Sequence, residues 1–487
     1  MSVYEKYETV IGLEVHIQLG TQTKAFCGDD ARFGAAPNTH ISSISLGHPG
    51  TLPRLNKQQV EYAIRLGIAL NSEINLNNQF DRKNYFYADL PKGYQITQDR
   101  SPICIGGQLM IPREQGRGPI RIHHIHMEED AGKSIHDLDP QNTLIDLNRA
   151  GVPLLEIVTE PDLRSPQEVD AFMTAMRQLV RYLEISDGNM EEGSMRCDCN
   201  VSVRLKGTEQ LGERCEIKNV NSMRFARKAI AYESKRQIDV LEAGGHIRQQ
   251  TLNFDPATGR TSPLREKEEA HDYRYFPDPD LPPLRLSEAK VEQIRQTLAP
   301  LPWQLVQRFC DQYQLSDYDA QLLTEEKAIA LYFDQLAQKC NYHKALANLM
   351  INKIKPWLKS EKLGITHFPV ESTNLIAFIE LIESGQVSSA IAYQRLFPAL
   401  LEQPIQSAKQ LAQQLNIIQS ADEDFLASLI DEVLAQHPKE VQAYQKGKKK
   451  LLGMFMGKIM RKSQGKADPK AGNALLRKKL EAFRQNG

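Results

Sequence analysis

The chain has 487 residues, of which 41% are hydrophobic and 25% are charged. This composition is ordinary for a soluble protein, and the length suggests about two to four domains. It has no run of about eighteen apolar residues, which excludes a membrane-spanning helix, and its first residues lack the apolar segment of a secretory signal. Seven scattered cysteines argue against a disulfide framework and predict a reducing, cytoplasmic location.

The formal net charge of −1 conceals an uneven distribution. Residues 441–487 contain 13 Lys and Arg against 2 Asp and Glu, a net of +11. The other 440 residues contain 47 basic and 59 acidic side chains, a net of −12. An acidic body with a basic tail is typical of a protein that holds a polyanion at one end. A solvated basic helix surface would give the same count.

Four segments in the first part of the chain alternate between apolar and polar side chains, which predicts half-buried β-strands. They are residues 10–19, 124–128, 196–205 and 214–218. Their polar faces carry Glu14, His16, His124, His126, Glu128, Asp198, Glu216 and Lys218. A single such face is usually solvated, but four of the same kind indicate one sheet whose polar face lines a concavity.

Helical patterns interrupt these strands at about 57–70 and 166–184. The proline-rich segment 275–284 cannot continue a helix or a central strand, and beyond it the pattern is helical. In the basic tail, one helix is predicted from a stripe of apolar residues and another from the N-cap pair Asp468-Pro469. The apolar residues of the stripe are Leu452, Phe455, Met456 and Ile459. The fold class that follows is α+β.

The segment HMEEDAGKS (126–134) ends like a phosphate-binding loop, but that loop needs a glycine where Met127 stands. Its carboxylates are more informative, because oxygen ligands with one or two imidazoles favour Mg²⁺ or Mn²⁺, the ions that accompany nucleotide phosphates. His124 and His126 also have the spacing of a zinc or cupin-type pair, although the next carboxylates lie too close for the usual cupin spacing. Since no activated nucleophile is recognisable, metal–phosphate chemistry is favoured.

Several long blocks carry a resemblance to a known family. In chain order they are IGLEVHIQL, RKNYFYADLPKGYQITQ, HMEEDAGKS, NRAGVPLLEIVTEPDL, EEGSMRCDCNVSVR, CEIKNVNS, DYRYFPDPDLPPL and LSDYDAQLLT, followed by residues 453–480. Together they closely resemble the B subunits of the aspartyl/glutamyl-tRNA(Asn/Gln) amidotransferases, over essentially the whole chain.

The resemblance implies an antiparallel β cradle related to glutamine synthetase (residues 1–290), a helical domain (291–402) and a small basic helical tail (403–487). Since tRNA is a polyanion, the charge distribution then predicts that this tail binds tRNA, through the basic residues of 441–487. It also implies a reaction in which ATP phosphorylates the side-chain carboxylate of Glu-tRNA(Gln) or Asp-tRNA(Asn), and ammonia displaces the phosphate. The implied partners are amidases, the A subunits of such enzymes, which would release ammonia from glutamine, and small C subunits, which would brace the pair.

Within that reaction, Glu14, His16 and one of Glu128 or Glu129 are expected to hold Mg²⁺. Alternation favours Glu128, whereas a strand that ends there could turn Glu129 inward. Asp198 and Glu216 are further metal or nucleotide candidates. Three lysines either meet phosphate or form structural ion pairs: Lys83, Lys92 and Lys218.

One loop departs from the resemblance. Many family members carry a Cys-x-Cys and a Cys-x-x-Cys spaced to bind zinc. Here Cys27 is present, but the other three cysteine positions are occupied by Asp29, Ser42 and Ser45. A lone thiolate cannot build a four-coordinate site, so we predict no structural zinc in this loop. Two rival functions remain open, a non-catalytic tRNA-binding scaffold and a stand-alone carboxylate–amine ligase that uses free ammonia.

Overall fold

The structure is a computed structural model that describes residues 2–114, 116–136, 138–218, 220, 222–266, 273–419, 423–463 and 466–485. The side chains of 265–266 and 483–485 lie outside this description. The chain divides into two compact units, Met1–Pro302 and Trp303–Gly487.

The described part of the first unit combines strands with four α-helices and the short 3-10 helix Val3–Lys6. Its strands are β1 (Tyr7–Gln18), β2 (Glu73–Ile74), β3 (Asn77–Asn78), β4 (Asp81–Asn84), β5 (Tyr94–Thr97), β6 (Cys104–Ile105), β7 (Gln108–Pro112), β8 (Arg117–Glu129), β9 (Lys133–Ile135), β10 (Leu144–Asp146), β11 (Pro153–Thr159), β12 (Met195–Leu205), β13 (Cys215–Lys218), β14 (Gln250–Asp255), β15 (Arg260–Glu266), β16 (Arg274–Pro277) and β17 (Leu284–Arg285). Its helices are α1 (Lys57–Ala69), α2 (Pro166–Tyr182), α3 (Met223–Glu242) and α4 (Glu288–Gln296). All four strands predicted from alternation, and both predicted helices, are confirmed.

A ten-stranded sheet organises this unit, in the order β15-β14-β13-β12-β1-β11-β8-β6-β2, with β7 also paired to β8. Its described pairs are antiparallel except β13–β14, which is parallel. Helix α3 is the crossover between those two strands, and a parallel pair requires such a connection. The α+β class is therefore confirmed. The sheet is mixed, because one parallel pair stands among the antiparallel pairs expected for an antiparallel cradle.

The central strand β1 shows why the sheet has two different faces. Ile11, Leu13, Val15 and Ile17 are buried, while the residues between them are only partly covered. Helix α3 packs on β12 and β15, and α1 packs on β8 and β11. One face of the sheet therefore belongs to the core, and the alternate positions are free to carry polar groups.

A second, three-stranded sheet has the order β16-β4-β5, and β5 packs against β8 of the large sheet. Strand β16 comes from the proline-rich segment and lies at the edge. This agrees with the prediction that the segment cannot form a central strand, because proline cannot donate to a ladder on both sides. Strand β4 carries Lys83 opposite Tyr275.

The secondary-structure elements in the described part of the second unit are helices. Its helices are α5 (Pro302–Asp311), α6 (Asp317–Thr324), α7 (Lys327–Ala337), α8 (His343–Leu349), α9 (Lys355–Glu361), α10 (Ser372–Glu383), α11 (Ser389–Ile391), α12 (Phe397–Glu402), α13 (Ala408–Gln414), α14 (Glu423–Ala435), α15 (Pro438–Gln445), α16 (Leu451–Lys462) and α17 (Pro469–Gln485). The π-helical turns Met350–Ile354 and Ala392–Leu396 come just before Pro356 and Pro398, where proline removes a backbone donor from the helix.

Helices α14 to α17 share one apolar core, in which Phe455 and Ile459 of the predicted stripe are fully buried. The predicted N-cap is also present, since Asp468 Oδ1 accepts the Ala471 N–H at 2.6 Å. Helix α13 packs on α10, and α4 packs on α1 in the first unit, which extends to Pro302. Within the described parts of the chain, no helix is both long and apolar enough to cross a membrane.

Candidate metal and nucleotide site

The register of the large sheet brings polar residues of four neighbouring strands together. Glu14 on β1 lies opposite Asp198 on β12. His16 on β1 lies opposite Glu156 on β11, which in turn lies opposite His126 on β8. Residues paired in this way point to the same face of a sheet, with their Cβ atoms about 5 Å apart. Non-local strand pairing therefore builds one polar cluster from separate parts of the chain.

The centre of this cluster contains two imidazoles and three carboxylates. His16 Nε2 lies 3.1 Å from Glu156 Oε2 and 3.6 Å from Glu128 Oε1. Glu14 Oε1 lies 3.7 Å from the same nitrogen. His126 Nε2 lies 3.4 Å from Glu156 Oε2 and 3.6 Å from Glu128 Oε2. We call these five residues the carboxylate–imidazole cluster.

Negative charge dominates the electrostatics of the cluster. Burial, together with the charge of Glu156, raises the pKa of Glu14 to about 7. Burial opposes protonation of His16, but the hydrogen bond to Glu156 and the nearby carboxylates outweigh it and raise the pKa of His16 to about 9. Burial also opposes protonation of His126, but the charge of Glu156 and the contacts with Glu128 outweigh it and raise the pKa of His126 to about 10. Positive charge at this place is therefore stabilised.

Glu128 and Glu129, adjacent on β8, point to opposite sides of the strand. Glu128 contacts both imidazoles of the cluster, whereas Glu129 forms a buried ion pair with Lys92. Its carboxylate also accepts the Ile96 N–H at 3.0 Å. The structure thus brings Glu128 into the cluster but leaves Glu129 and Lys92 outside it. Their assignment to metal and phosphate stays a prediction.

Lys218 extends the polar face beyond Glu14. Its Nζ lies 3.0 Å from Glu216 Oε1 and 3.3 Å from Asp198 Oδ2. Thr251 Oγ1 donates to the other oxygen of Glu216 at 3.0 Å. Burial disfavours the charged ammonium, but the two carboxylates, Asp198 first, raise the pKa of Lys218 above its usual value. Lys218 is therefore cationic and already ion-paired, so both of its predicted roles remain open.

Lys83 approaches from the three-stranded sheet. Its Nζ lies 4.8 Å from the ring centroid of Tyr273 and 5.9 Å from that of Tyr85, within the range of cation–π contact. Burial would lower its pKa, but neighbouring groups that include Glu128 and Glu156 raise it. Lys83 thus brings a positive charge within electrostatic reach of the cluster.

Glu156 is the functional candidate that sequence reasoning missed. It is the only charged residue in the run VPLLEIV (152–158), which forms most of the central strand β11. A carboxylate inside a strand that is apolar on both faces is rarely buried without a partner. That isolated charge was the available signal, but the strand lacks the alternation that marked the others.

The loop around Cys27 is held together by hydrogen bonds at positions 29, 42 and 45, where the resemblance implied zinc-binding cysteines. Ser45 Oγ donates to Asp29 Oδ2 at 2.6 Å, and the Ser42 N–H donates to Ser45 Oγ at 2.9 Å. Burial raises the pKa of the Cys27 thiol to about 11, so the thiolate that zinc requires is disfavoured.

Replacing Cys27 by serine is expected to leave the zinc content of the purified protein unchanged, because the loop offers one thiol and no second soft ligand among the matching positions. Inductively coupled plasma mass spectrometry of the wild type and C27S, purified side by side, measures this. Loss of one zinc per chain in C27S alone would contradict the prediction. Comparing the two proteins removes any contribution from zinc bound elsewhere.

Comparisons with known proteins match the chain to one family. Residues 9–292 match the family model described as the GatB/GatE catalytic domain, and residues 331–480 match the GatB domain. The aspartyl/glutamyl-tRNA(Asn/Gln) amidotransferase B subunits of Salinibacter ruber, Geotalea uraniireducens and Persephonella marina are 47%, 48% and 44% identical to the chain. These matches cover 99%, 98% and 98% of this chain and 98%, 99% and 100% of the three relatives, in the same order. The chain therefore belongs to the family of aspartyl/glutamyl-tRNA(Asn/Gln) amidotransferase B subunits.

Proposed function

We propose that this protein activates and amidates the side chain of a misacylated amino acid while it is attached to tRNA. With ATP, Glu-tRNA(Gln) becomes Gln-tRNA(Gln), or Asp-tRNA(Asn) becomes Asn-tRNA(Asn). The observation that carries this proposal is the carboxylate–imidazole cluster, which lies within the residues that match the catalytic-domain model. The names of the relatives supply the substrate class.

The chemistry explains why such a cluster is needed. A carboxylate is a poor acyl donor, because its oxygen is a poor leaving group. Transfer of the γ-phosphoryl group of ATP to that oxygen lets ammonia attack the carbonyl carbon and phosphate depart. We propose that an amidase partner releases this ammonia from glutamine and that a small third partner braces the complex. This reaction requires positioned cations and no protein nucleophile.

The residues of the cluster fit Mg²⁺. Ligand atoms of Glu14, His16 and Glu156 all lie within 4.8 Å of one another, and opposite oxygens in a magnesium shell are about 4 Å apart. These three residues and Glu128 would hold the ion. Bound there, Mg²⁺ would neutralise the phosphates of ATP and the charge that develops during transfer.

Residues around the cluster would position the substrates. Lys218 and Lys83 provide the positive charges that could meet phosphate oxygens, and Asp198 and Glu216 hold the Lys218 ammonium in place. Lys92 could reach phosphate only by leaving its pair with Glu129. In this proposal the mixed sheet is the floor of the catalytic cradle assigned to residues 1–290.

The basic tail supplies a surface for the tRNA. Some of its lysines pair with acidic residues of α14, as Lys462 does with Glu432. Others are exposed, including the run Lys448, Lys449 and Lys450 in the turn between α15 and α16. A dense run of exposed ammonium groups suits the phosphates of an RNA helix, which proteins recognise mainly through backbone and shape. We propose that residues 403–487 bind the tRNA.

Replacing Lys448, Lys449 and Lys450 together by glutamine is expected to weaken tRNA binding about tenfold at physiological salt. The slope of log affinity against log salt should become shallower by about 3, or one unit for each lost phosphate contact. Fluorescence anisotropy over a series of salt concentrations measures both quantities. Truncation at Val441 is less suitable, because that residue belongs to the core shared by α14 to α17.

A matched control replaces three exposed lysines outside the tail, Lys339, Lys359 and Lys362. It removes the same charge from the chain but should leave the salt slope unchanged. If both triple variants lower affinity equally, only net charge matters, and the tail is not the binding surface.

Amidation assays with the reconstituted complex test the proposed function directly. Each misacylated tRNA is incubated with glutamine, with and without ATP, and the amino acid released from the tRNA is identified. Amide formation that requires ATP is the expected result. Full amidation with ammonia and without the amidase partner would instead favour a stand-alone ligase. A complex without tRNA-dependent ATP hydrolysis would favour a non-catalytic scaffold.

A further inference from the structure

Glu156 belongs to two groups of possible metal ligands. Besides the group formed with Glu14 and His16, its carboxylate lies within 4.8 Å of ligand nitrogens of both His124 and His126. Ligands on opposite sides of a divalent ion are about 4 Å apart, so the second group is also compact enough to surround one ion. The polar face thus offers two adjacent sets of ligands that share one carboxylate.

A buried nitrogen without a partner supports the second group independently. His126 is only 8% exposed, and its Nδ1 makes no hydrogen bond to any residue that the structure describes. A buried polar atom left in this state costs about 1–3 kcal/mol, and each such atom calls for an explanation. The Nε2 of the same ring faces Glu128 and Glu156. An ion bound through Nδ1 would supply the missing partner, while Nε2 stays with the carboxylates.

The ring of His124 is oriented as a metal ligand usually is. Its Nδ1 lies 2.7 Å from the Nδ1 of His123, and this hydrogen bond leaves Nε2 available. Ligating histidines generally use their second nitrogen in this way, which fixes the tautomer and the ring orientation. The ring of His124 stacks on that of His126, with centroids 5.3 Å apart and planes inclined by 17°.

The local backbone contributes to this arrangement. The β8–β11 pairing shifts register between Val158 and Thr159, which lie opposite His124 and Ile122. His123 is therefore the extra residue of a bulge, a device that re-aims side chains and is common beside active sites. It is exposed, whereas His124 is half-buried and His126 is buried.

From these observations we infer that His124, His126 and Glu156 form a second divalent-cation site, bridged through Glu156 to the site proposed for Mg²⁺. Two imidazoles and one carboxylate are the ligands of many zinc and non-haem iron centres, whereas Mg²⁺ prefers oxygen. The expected occupant is a first-row transition metal such as Mn²⁺, Co²⁺ or Zn²⁺. The inference goes beyond the proposed function, which requires only the first ion.

Cobalt is a suitable probe, because its visible absorption reports nitrogen ligation. The full-length chain is titrated with Co²⁺ in saturating Mg²⁺, as wild type, H124Q and H246Q. The last variant is a control that removes an exposed histidine elsewhere in the first unit. Wild type and H246Q should bind the ion equally, whereas loss of one ligand in H124Q should weaken binding at least about 100-fold. Equal Co²⁺ affinity in all three proteins would overturn the inference.

A second measurement needs no variant and so does not depend on H124Q folding. In the Co²⁺-loaded wild type, imidazole N–H protons of ligating histidines give strongly shifted, exchangeable proton NMR signals. Signals from two imidazoles are expected in saturating Mg²⁺, and their absence would overturn the inference. Neither measurement involves tRNA or ATP, so either can fail while the amidation assays succeed.

Discussion

Replacing Glu156 by glutamine is expected to lower the rate of ATP-dependent amidation by about 10²–10³-fold, the loss typical when one preorganised electrostatic contact to a developing charge is removed. Among the residues that the structure describes, Glu156 is the one carboxylate that belongs to both ligand groups. Its Oε2 lies 3.1 Å from His16 Nε2 and 3.4 Å from His126 Nε2. Glutamine keeps the shape of this side chain but removes the charge that holds both imidazoles and a bound cation.

Glu160, four residues further along the chain, provides the matched control. E160Q makes the same chemical change outside the cluster and should retain nearly full activity. Initial rates of amidation by the reconstituted complex compare the two variants, and thermal melting shows whether each remains folded. If E156Q stays folded and amidates at the rate of E160Q, the cluster is not the catalytic site.

Much of this site could be predicted from the sequence, because the relevant strands report their faces locally. In β1 and β12, residues alternate between the core and the polar face with period two, so the sequence predicts that Glu14, His16 and Asp198 share a face. The same rule separates Glu128 from Glu129. Such a rule gives directions of side chains, but it does not give their partners.

What the sequence could not provide depends on pairing between distant segments. Glu156 meets His16 and His126 only because β11 lies between β1 and β8 in that register, and no local pattern encodes strand order. The ion pair of Lys92 with Glu129 joins a loop to a strand. The parallel pair β13–β14 likewise follows from the crossover helix α3, which changes the direction of the chain without altering either strand's pattern.

The position of domain boundaries shows the same limit. Composition changes after the proline-rich segment, and this change suggested a boundary at residue 290. The first compact unit continues to Pro302, because α4 packs against α1. A segment with a helical sequence pattern can therefore belong to a strand-rich unit, because packing, and not local periodicity, decides which unit it joins. The three-part division of the chain stays a prediction.

The two adjacent glutamates of β8 should respond in opposite ways to the same substitution. E128Q is expected to raise the Mg²⁺ concentration for half-maximal amidation by at least about tenfold, because it removes a carboxylate that faces His16 and His126. E129Q should leave that concentration unchanged. It should instead lower the free energy of unfolding by about 3–5 kcal/mol, because Lys92 then keeps a buried charge without its partner.

Each variant serves as the control of the other, since both make one change of charge at neighbouring positions of one strand. Magnesium titrations of the amidation rate and urea unfolding of the full-length chain separate the two effects. If E129Q, and not E128Q, shifted the magnesium titration, the ion would bind on the other face of β8 and the proposed site would be wrong. The opposite faces of a β-strand thus make a single pair of substitutions sufficient to locate the ion, because residues 128 and 129 are adjacent glutamates whose carboxylates lie on opposite sides of the sheet.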